Sequence, residues 1–221
     1  MRATRALSLA VVGLALSSAR MDAQQWDDSF KWYIGAQAGV LGFETPTQTR
    51  SWIPTGGGHL FVMAKRTGLL ISVDQGFGSD EVTGYSDVNV ATGVRPVNFT
   101  NIRRYSAMLT GYPIRGSSAA PYFGVGFGLL QVMSPQPQGV FSSPQQYTLA
   151  QRLATSKSTD GFISFLAGVQ ARVSRWQVFG QYQLTSSPSP GNLLRGPSHG
   201  FSAGLRLGLG SAREGVHGGG Y

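Results

Sequence analysis

The sequence predicts an all-β protein, an eight-stranded antiparallel up-and-down transmembrane β-barrel. Three observations favour this fold class. Apolar residues alternate with small or polar residues in segment after segment, and a period of two is the pattern of a β-strand. Charged residues make up only 13% of the chain, about half of the roughly 25% usual in soluble proteins. Glycine accounts for 31 of the 221 residues, about twice its usual share of ~7%.

The N-terminal segment has the features of a targeting signal. Arg2 and Arg5 precede an apolar run at 6–16, and the small residues Ala19 and Ala23 are candidate cleavage sites. The run is too short to cross a bilayer as a helix, which needs ~20 residues, so it is interpreted as a signal peptide. No later segment is apolar enough to be a transmembrane helix, so a membrane-bound mature protein would have to be a closed barrel. The predicted division is a signal peptide at 1–23, a barrel domain at 24–210 and a flexible tail at 211–221.

The strands are predicted from the alternation. In the last of them, the odd positions are His, Phe, Ala and Leu, and the even positions are Gly, Ser and Arg. Only the second strand is ambiguous, because Leu60 and Val62 compete with Phe61 and Met63 for the apolar face. The eight predicted strands are residues 32–43, 56–64, 69–77, 104–112, 122–133, 161–173, 176–185 and 199–209.

The connections between these strands differ in length. Those at 65–68 and 174–175 are tight and the one at 113–120 is fairly short, whereas 79–98 and 134–159 are long. Outer-membrane barrels have short periplasmic turns and longer external loops. No convincing amphipathic helix is predicted after the signal peptide, and both ends of the barrel domain are expected on the short-turn side.

The apolar face is predicted to point outward, toward lipid. The opposite face carries few charges and is rich in Gly, Ser and Gln, which suits a crowded lumen better than a water-exposed surface. An apolar face of this extent would far exceed the exposed patches that soluble proteins tolerate. Aromatic residues near strand ends resemble interfacial girdles; they are Trp32, Trp52, Phe77, Trp176 and Phe201.

Four charged residues fall on the predicted inner face: Asp74, Arg104, Arg172 and Arg206. An eight-stranded barrel is just wide enough to be filled by its own side chains, and a buried charge needs a partner. We therefore expect an interior charge network that fills the lumen, with glutamines or water balancing the excess of guanidinium groups. An ion pathway is the alternative.

Basic residues are also expected near the outer rim, where they could pair with lipopolysaccharide phosphates. The candidates are Arg50, Arg95, Arg103 and Arg195. Solvated loop charges are the alternative interpretation. The formal charge is +8, but the basic residues are scattered and no recognition helix is predicted, so nucleic-acid binding is not expected.

Three segments resemble small outer-membrane barrels of the OmpA-type and OmpX-type superfamily: PYFGVGFG at 121–128, WQVFGQY at 176–182 and HGFSAGLRLGL at 199–209. The resemblance covers about residues 30–210. It implies the outer membrane of a Gram-negative-type bacterium, insertion by the outer-membrane assembly machinery, and contact with outer-membrane lipids and lipopolysaccharide. We expect no cofactor, and a chain without cysteine offers no thiolate metal site or disulfide.

Two short segments match the sequence patterns of hydrolase motifs. Residues 200–204 match G-x-S-x-G and residues 217–220 match HGGG, but the serine of the first lies in mid-strand, whereas a nucleophile elbow needs a strand, a turn and a helix. A lipid-A-modifying enzyme using His199, with Ser198 beside it, is a separate alternative. No enzyme activity is expected.

The main functional hypothesis is a structural or surface-interaction protein, a membrane anchor that displays the loops 79–98 and 134–158. A rigid scaffold commonly presents its binding residues on loops. The alternatives are a narrow pore for ions or small solutes, the lipid-A-modifying barrel enzyme, and a soluble periplasmic ligand-binding barrel. The extracellular ligand, if there is one, is not defined by the sequence.

Overall fold

The structure, a computed structural model, describes residues 30–114 and 119–212. The predicted signal peptide at 1–23 and most of the predicted tail lie outside these residues. The strands are β1 (Phe30–Glu44), β2 (Ser51–Ala64), β3 (Thr67–Ser86), β4 (Val94–Gly111), β5 (Ala119–Met133), β6 (Gln136–Pro137), β7 (Thr159–Val173), β8 (Trp176–Thr185) and β9 (Arg195–Ala212). One helix, α1 (Pro144–Ser156), lies between β6 and β7.

Eight of the strands form a closed antiparallel barrel, which confirms the predicted fold class. Each long strand pairs with the next along the chain, and β9 returns to pair with β1 over most of its length. The two-residue strand β6 lies outside this cycle and pairs with the outer part of β4. Because every barrel strand has two partners, the barrel leaves no open sheet edge.

Short turns and long connections lie at opposite ends of the barrel. The turns after β2 and β7 contain two residues each, and Lys65 (φ 46°) and Ser174 (φ 58°) take left-handed backbone conformations there. The connections at 45–50, 87–93, 134–158 and 186–194 all lie at the other end, here named the loop end, whereas the seven-residue connection between β4 and β5 belongs to the short-turn end. The start of β1 and the end of β9 lie at the short-turn end.

Side chains alternate between the lumen and the outer wall as predicted. Val125, Val169 and Leu205 point outward and are 48–50% exposed. In the ambiguous strand β2, Phe61 and Met63 point inward and are 1–2% exposed. The five girdle candidates Trp32, Trp52, Phe77, Trp176 and Phe201 are all 41–54% exposed on the outer wall. The barrel therefore has an apolar outer surface around a filled interior.

Glycine on the inner face allows long polar side chains to cross the lumen. A Cβ atom added at Gly200 would lie 2.7 Å from Arg104 Nη1. One added at Gly57 would collide with the Asp74 carboxylate of the adjacent strand. Gly57 is thus needed for the close approach of the adjacent strand, and Gly200 leaves room for the Arg104 guanidinium.

Two features differ from the sequence prediction. The hairpin of β3 and β4 continues well beyond the barrel, so only 87–93 of the predicted loop 79–98 is turn. The expectation of no helix was wrong, because α1 occupies most of the predicted loop 134–158. The Ser143 side chain caps this helix by accepting a hydrogen bond from the backbone N–H of Gln146, and the helix begins at Pro144. Both features favour the start of a helix. Within the described part of the chain, no helix is long and apolar enough to cross a bilayer.

Candidate functional site

An aromatic and aliphatic plug, here named the inner plug, fills the lumen at the short-turn end. Tyr33, Phe61, Tyr112 and Tyr122 form a chain of ring contacts, with centroid separations of 5.7–6.5 Å. Aliphatic side chains from other strands pack around them, including Leu166, which is 3% exposed. Because the interior of an eight-stranded barrel is just wide enough for side chains to fill, these inward aromatic side chains occupy this part of the lumen.

A buried ion pair crosses between β3 and β4 in the middle of the barrel. Arg104 Nη2 donates to Asp74 Oδ2 at 2.9 Å, and the two side chains are both 4% exposed. The amide of Gln37 also donates to Asp74 Oδ1. Asp74 is therefore the anion that balances Arg104 in the lumen, while Arg104 Nη1 has no hydrogen-bond partner among the described residues.

Arg206 forms a second, separate arrangement nearer the inner plug. Its side chain is fully buried. It donates from Nε to His59 Nε2 and from Nη1 to Gln170 Oε1, each at 3.0 Å. Its guanidinium carbon lies 4.0 Å from the Phe179 ring centroid and 4.6 Å from that of Phe61. Neutral acceptors and aromatic faces thus stabilise this cation, with no carboxylate partner among the described residues.

The four residues predicted to form one interior network do not meet at one point. Asp74 and Arg104 are in contact, and Arg206 is held by His59 and Gln170 instead. Arg172 lies on the inward side of β7, but it is only half-buried at the short-turn end, where Nε donates to the Ser174 carbonyl at 3.2 Å. Among the described residues, the lumen therefore contains one ion pair and one aromatic-stabilised cation, with Arg172 at its rim.

The loop end is covered by a folded structure built from the external connections, here named the cap. Thr83 Oγ1 donates to the Leu193 carbonyl at 2.5 Å, and the Tyr85 hydroxyl donates to the Ala150 carbonyl at 3.1 Å. Ala154 of α1 and Leu193 are fully buried in one apolar cluster with residues of the barrel mouth. The β3–β4 hairpin, α1 and the 186–194 connection therefore pack together over the barrel.

A second ion pair lies within the β3–β4 hairpin of the cap. Arg95 Nε donates to Asp87 Oδ2 at 2.5 Å, and the Arg95 guanidinium lies 4.5 Å from the Phe141 ring centroid. This hydrogen bond from Arg95, and then the backbone N–H of Asn89, hold the pKa of the Asp87 carboxyl below its ordinary value. A carboxyl group whose pKa is lowered in the folded protein stabilises the fold at every pH above its ordinary pKa of about 3.9. This stabilisation is lost as the pH falls through the lowered pKa, so the contact persists at neutral pH.

The basic residues predicted at the outer rim occupy different environments. Arg95 is 2% exposed and buried in the cap, so it does not reach the outer wall. Arg50 is exposed and lies 3.5 Å from Glu44, and Arg195 is exposed and opposite Glu44 in the β1–β9 register. Arg103 is half-buried on the outer wall, where Nε donates to Gln75 Oε1 at 2.9 Å.

The serine and histidine considered for lipid-A chemistry face opposite sides of β9. Ser198 points into the lumen and shares a 2.6 Å hydrogen bond with Thr185. His199 points outward, and its Nδ1 lies 2.7 Å from the Tyr182 hydroxyl. Ser202 lies within unbroken β9 rather than at an elbow, and the HGGG spelling at 217–220 is outside the described residues.

The cap was not predicted as a unit, although part of its signal is present in the sequence. Arg95, Val97 and Phe99 continue the alternation of β4 on one side of the strand, but the charge of Arg95 suggested a solvated loop. The Ser143–Pro144 pair was a usable helix-start signal. The contacts from Tyr85 and Thr83 join residues 65 and 110 positions apart, and no local pattern reveals them.

The closed barrel, its apolar outer wall and its filled lumen define this chain as an eight-stranded transmembrane β-barrel. The crystal structure of Neisserial surface protein A (NspA) is similar to it, with a TM-score of 0.54 over 80% of this chain and 96% of that chain. The two sequences are 12% identical, so the similarity is one of fold. No protein-family model and no curated protein matches the sequence.

Proposed function

We propose that this chain is an outer-membrane surface protein, a sealed barrel that anchors the folded cap at the cell exterior. The observation that carries the proposal is the filling of the lumen from one end to the other. The inner plug, the Asp74–Arg104 pair and the cap follow one another along the barrel axis. A filled interior favours an anchor over a pore, because ions would have to displace buried and hydrogen-bonded side chains.

The proposed role of the cap is to contact other molecules outside the cell. It presents apolar side chains that the barrel does not use, among them Val88, Val140 and Leu149, which are 98%, 94% and 61% exposed. External connections held by a rigid scaffold commonly carry the binding residues of a protein. NspA is named a surface protein, which is consistent with this proposal.

A catalytic role receives no support from the best candidate residues. An acyl-transfer or hydrolytic site would need a nucleophile within hydrogen-bond reach of its base. Ser198 and His199 lie on opposite faces of β9, and each is engaged with another residue. We therefore propose a non-enzymatic surface protein.

Cysteine labelling on intact cells tests the proposed location and orientation. The chain contains no cysteine, so Val88→Cys in the cap and Arg175→Cys at the opposite end of the barrel each provide a single reactive thiol. A large, membrane-impermeant maleimide is expected to label Val88→Cys on intact cells. It should label Arg175→Cys only after the outer membrane is permeabilised. Recovery of both variants in the soluble periplasmic extract would contradict the proposal, and the reverse labelling pattern would contradict the orientation.

A further inference from the structure

Arg103 lies at the boundary of the apolar outer wall that faces the loop end. It alternates with Arg104, whose side chain points into the lumen, so Arg103 faces outward. The outward positions that follow it toward the short-turn end are Tyr105, Ala107 and Leu109, which are aromatic or apolar. In a barrel inserted with its loop end outward, this boundary coincides with the headgroup region of the outer leaflet.

The structure fixes the guanidinium of Arg103 with neutral groups only. Nε donates to Gln75 Oε1 at 2.9 Å, and Nη1 lies 3.5 Å from the Tyr105 hydroxyl. Gln75 and Gln131 are the residues paired with Arg103 on the two adjacent strands, and both are half-buried. Arg103 is thus flanked by two glutamine side chains at the point where the outer wall becomes apolar toward the short-turn end.

This cation has no counter-ion within the described residues. Arg104 and Arg95 are each paired with an aspartate, and Arg50 lies beside Glu44, whereas Arg103 forms no ion pair there. A charged side chain facing lipid is costly unless an anion compensates it. At headgroup depth, the abundant anion is the phosphate of a membrane lipid.

We propose that Arg103, with Gln75 and Gln131, forms a binding site for the phosphate of an anionic outer-leaflet lipid. The planar guanidinium suits bidentate phosphate recognition, and Nη2 remains available because its described hydrogen bonds use Nε and Nη1. The glutamine amides can donate further hydrogen bonds to phosphate oxygens. Tyr105 and Phe77, 36% and 54% exposed, provide aromatic contact at the same boundary. The inference rests on the proposed outer-membrane location.

The phosphate could belong to lipid A or to a phospholipid, and mixed nanodiscs distinguish the two. The full chain is inserted into nanodiscs with equal amounts of lipid A, phosphatidylglycerol and phosphatidylcholine, and the lipids retained by the released protein are counted by native mass spectrometry. The unsubstituted protein is expected to retain lipid A or phosphatidylglycerol in preference to phosphatidylcholine, because the choline ammonium of phosphatidylcholine neutralises the charge of its own phosphate. The preferred species identifies the source.

Substitutions then assign the retention to this site. Arg103→Gln is expected to lower the occupancy of the preferred lipid about tenfold, because it removes charge-assisted hydrogen bonds. Arg103→Lys keeps the charge without the planar fork, so it should restore only part of the occupancy. Arg50→Gln is the matched control. It also removes a positive charge near this rim, but Glu44 already compensates the charge of Arg50, so lipid retention should be unchanged.

Two results would overturn the inference: equal retention of phosphatidylcholine, or the same lipid occupancy in Arg103→Gln as in the unsubstituted protein. Heat-modifiable gel mobility, measured on the same samples, reports whether the barrel has folded in the bilayer. An unsubstituted protein that fails to insert would contradict the proposed function itself. Normal insertion combined with lipid retention that does not depend on Arg103 would contradict the lipid site alone.

Discussion

Replacing Asp74 with asparagine should lower the free energy of unfolding by about 3–5 kcal/mol, the usual effect of leaving one partner of a buried ion pair uncompensated. Asparagine has nearly the same shape and can still accept the hydrogen bond from Gln37. It removes the negative charge that balances Arg104, which is 4% exposed and cannot reach solvent. Reversible urea unfolding in lipid vesicles measures the change.

A second substitution separates the charge effect from loss of packing. The double variant Asp74→Asn with Arg104→Met removes both charges, so it should recover at least half of the lost stability. Asp80→Asn is the matched control on the same strand, because Asp80 is exposed, and its effect should stay within about 0.5 kcal/mol. An Asp74→Asn barrel as stable as the original, or a double variant less stable than Asp74→Asn, would contradict this account of the lumen.

Replacing Leu205 with arginine should destabilise the barrel in a bilayer by about 2–4 kcal/mol, the usual cost of an arginine near the bilayer midplane on a barrel wall. Leu205 lies near the middle of β9, points outward and is 49% exposed. If water surrounded the barrel, an added charge there would cost almost nothing. Urea unfolding in vesicles again gives the free energy of unfolding.

The control for this variant is Val88→Arg, which adds the same charge in the cap at a side chain that is 98% exposed. Its effect should be within about 0.5 kcal/mol. Equal stabilities for Leu205→Arg, Val88→Arg and the unsubstituted protein would mean that the apolar wall does not face hydrocarbon.

The barrel could be predicted because its signal is local. In β9, every second residue is apolar from Phe201 to Leu209. The outward face of the strand meets lipid and the inward face carries small or polar residues, so the two faces differ in polarity along the whole strand. β2 was ambiguous for a physical reason. Phe61 and Met63 belong to the inner plug, so this part of the lumen is apolar as well, and the two faces of the strand no longer differ in polarity.

The sequence predicts whether each charged side chain points into the lumen, but it does not predict which residues that side chain contacts. Alternation places Asp74, Arg104 and Arg206 on the inner side, where the structure has them. The choice of His59 and Gln170 as partners of Arg206 depends on strand tilt and register across the lumen, because these residues are 147 and 36 positions away. Arg172 has the same inward direction, but its position near the end of β7 leaves it at the rim.

Spin labels scanned along residues 122–130 of β5 test most directly whether lipid contacts the apolar wall. In a bilayer, labels at Phe123, Val125, Phe127 and Leu129 should be accessible to oxygen and inaccessible to a water-soluble nickel chelate. Labels at Tyr122 and Leu130, the inward positions of this segment that are not glycine, should be inaccessible to both reagents. The account would be contradicted if the nickel chelate reached the odd-numbered positions, or if these positions were shielded from oxygen while their neighbours were exposed.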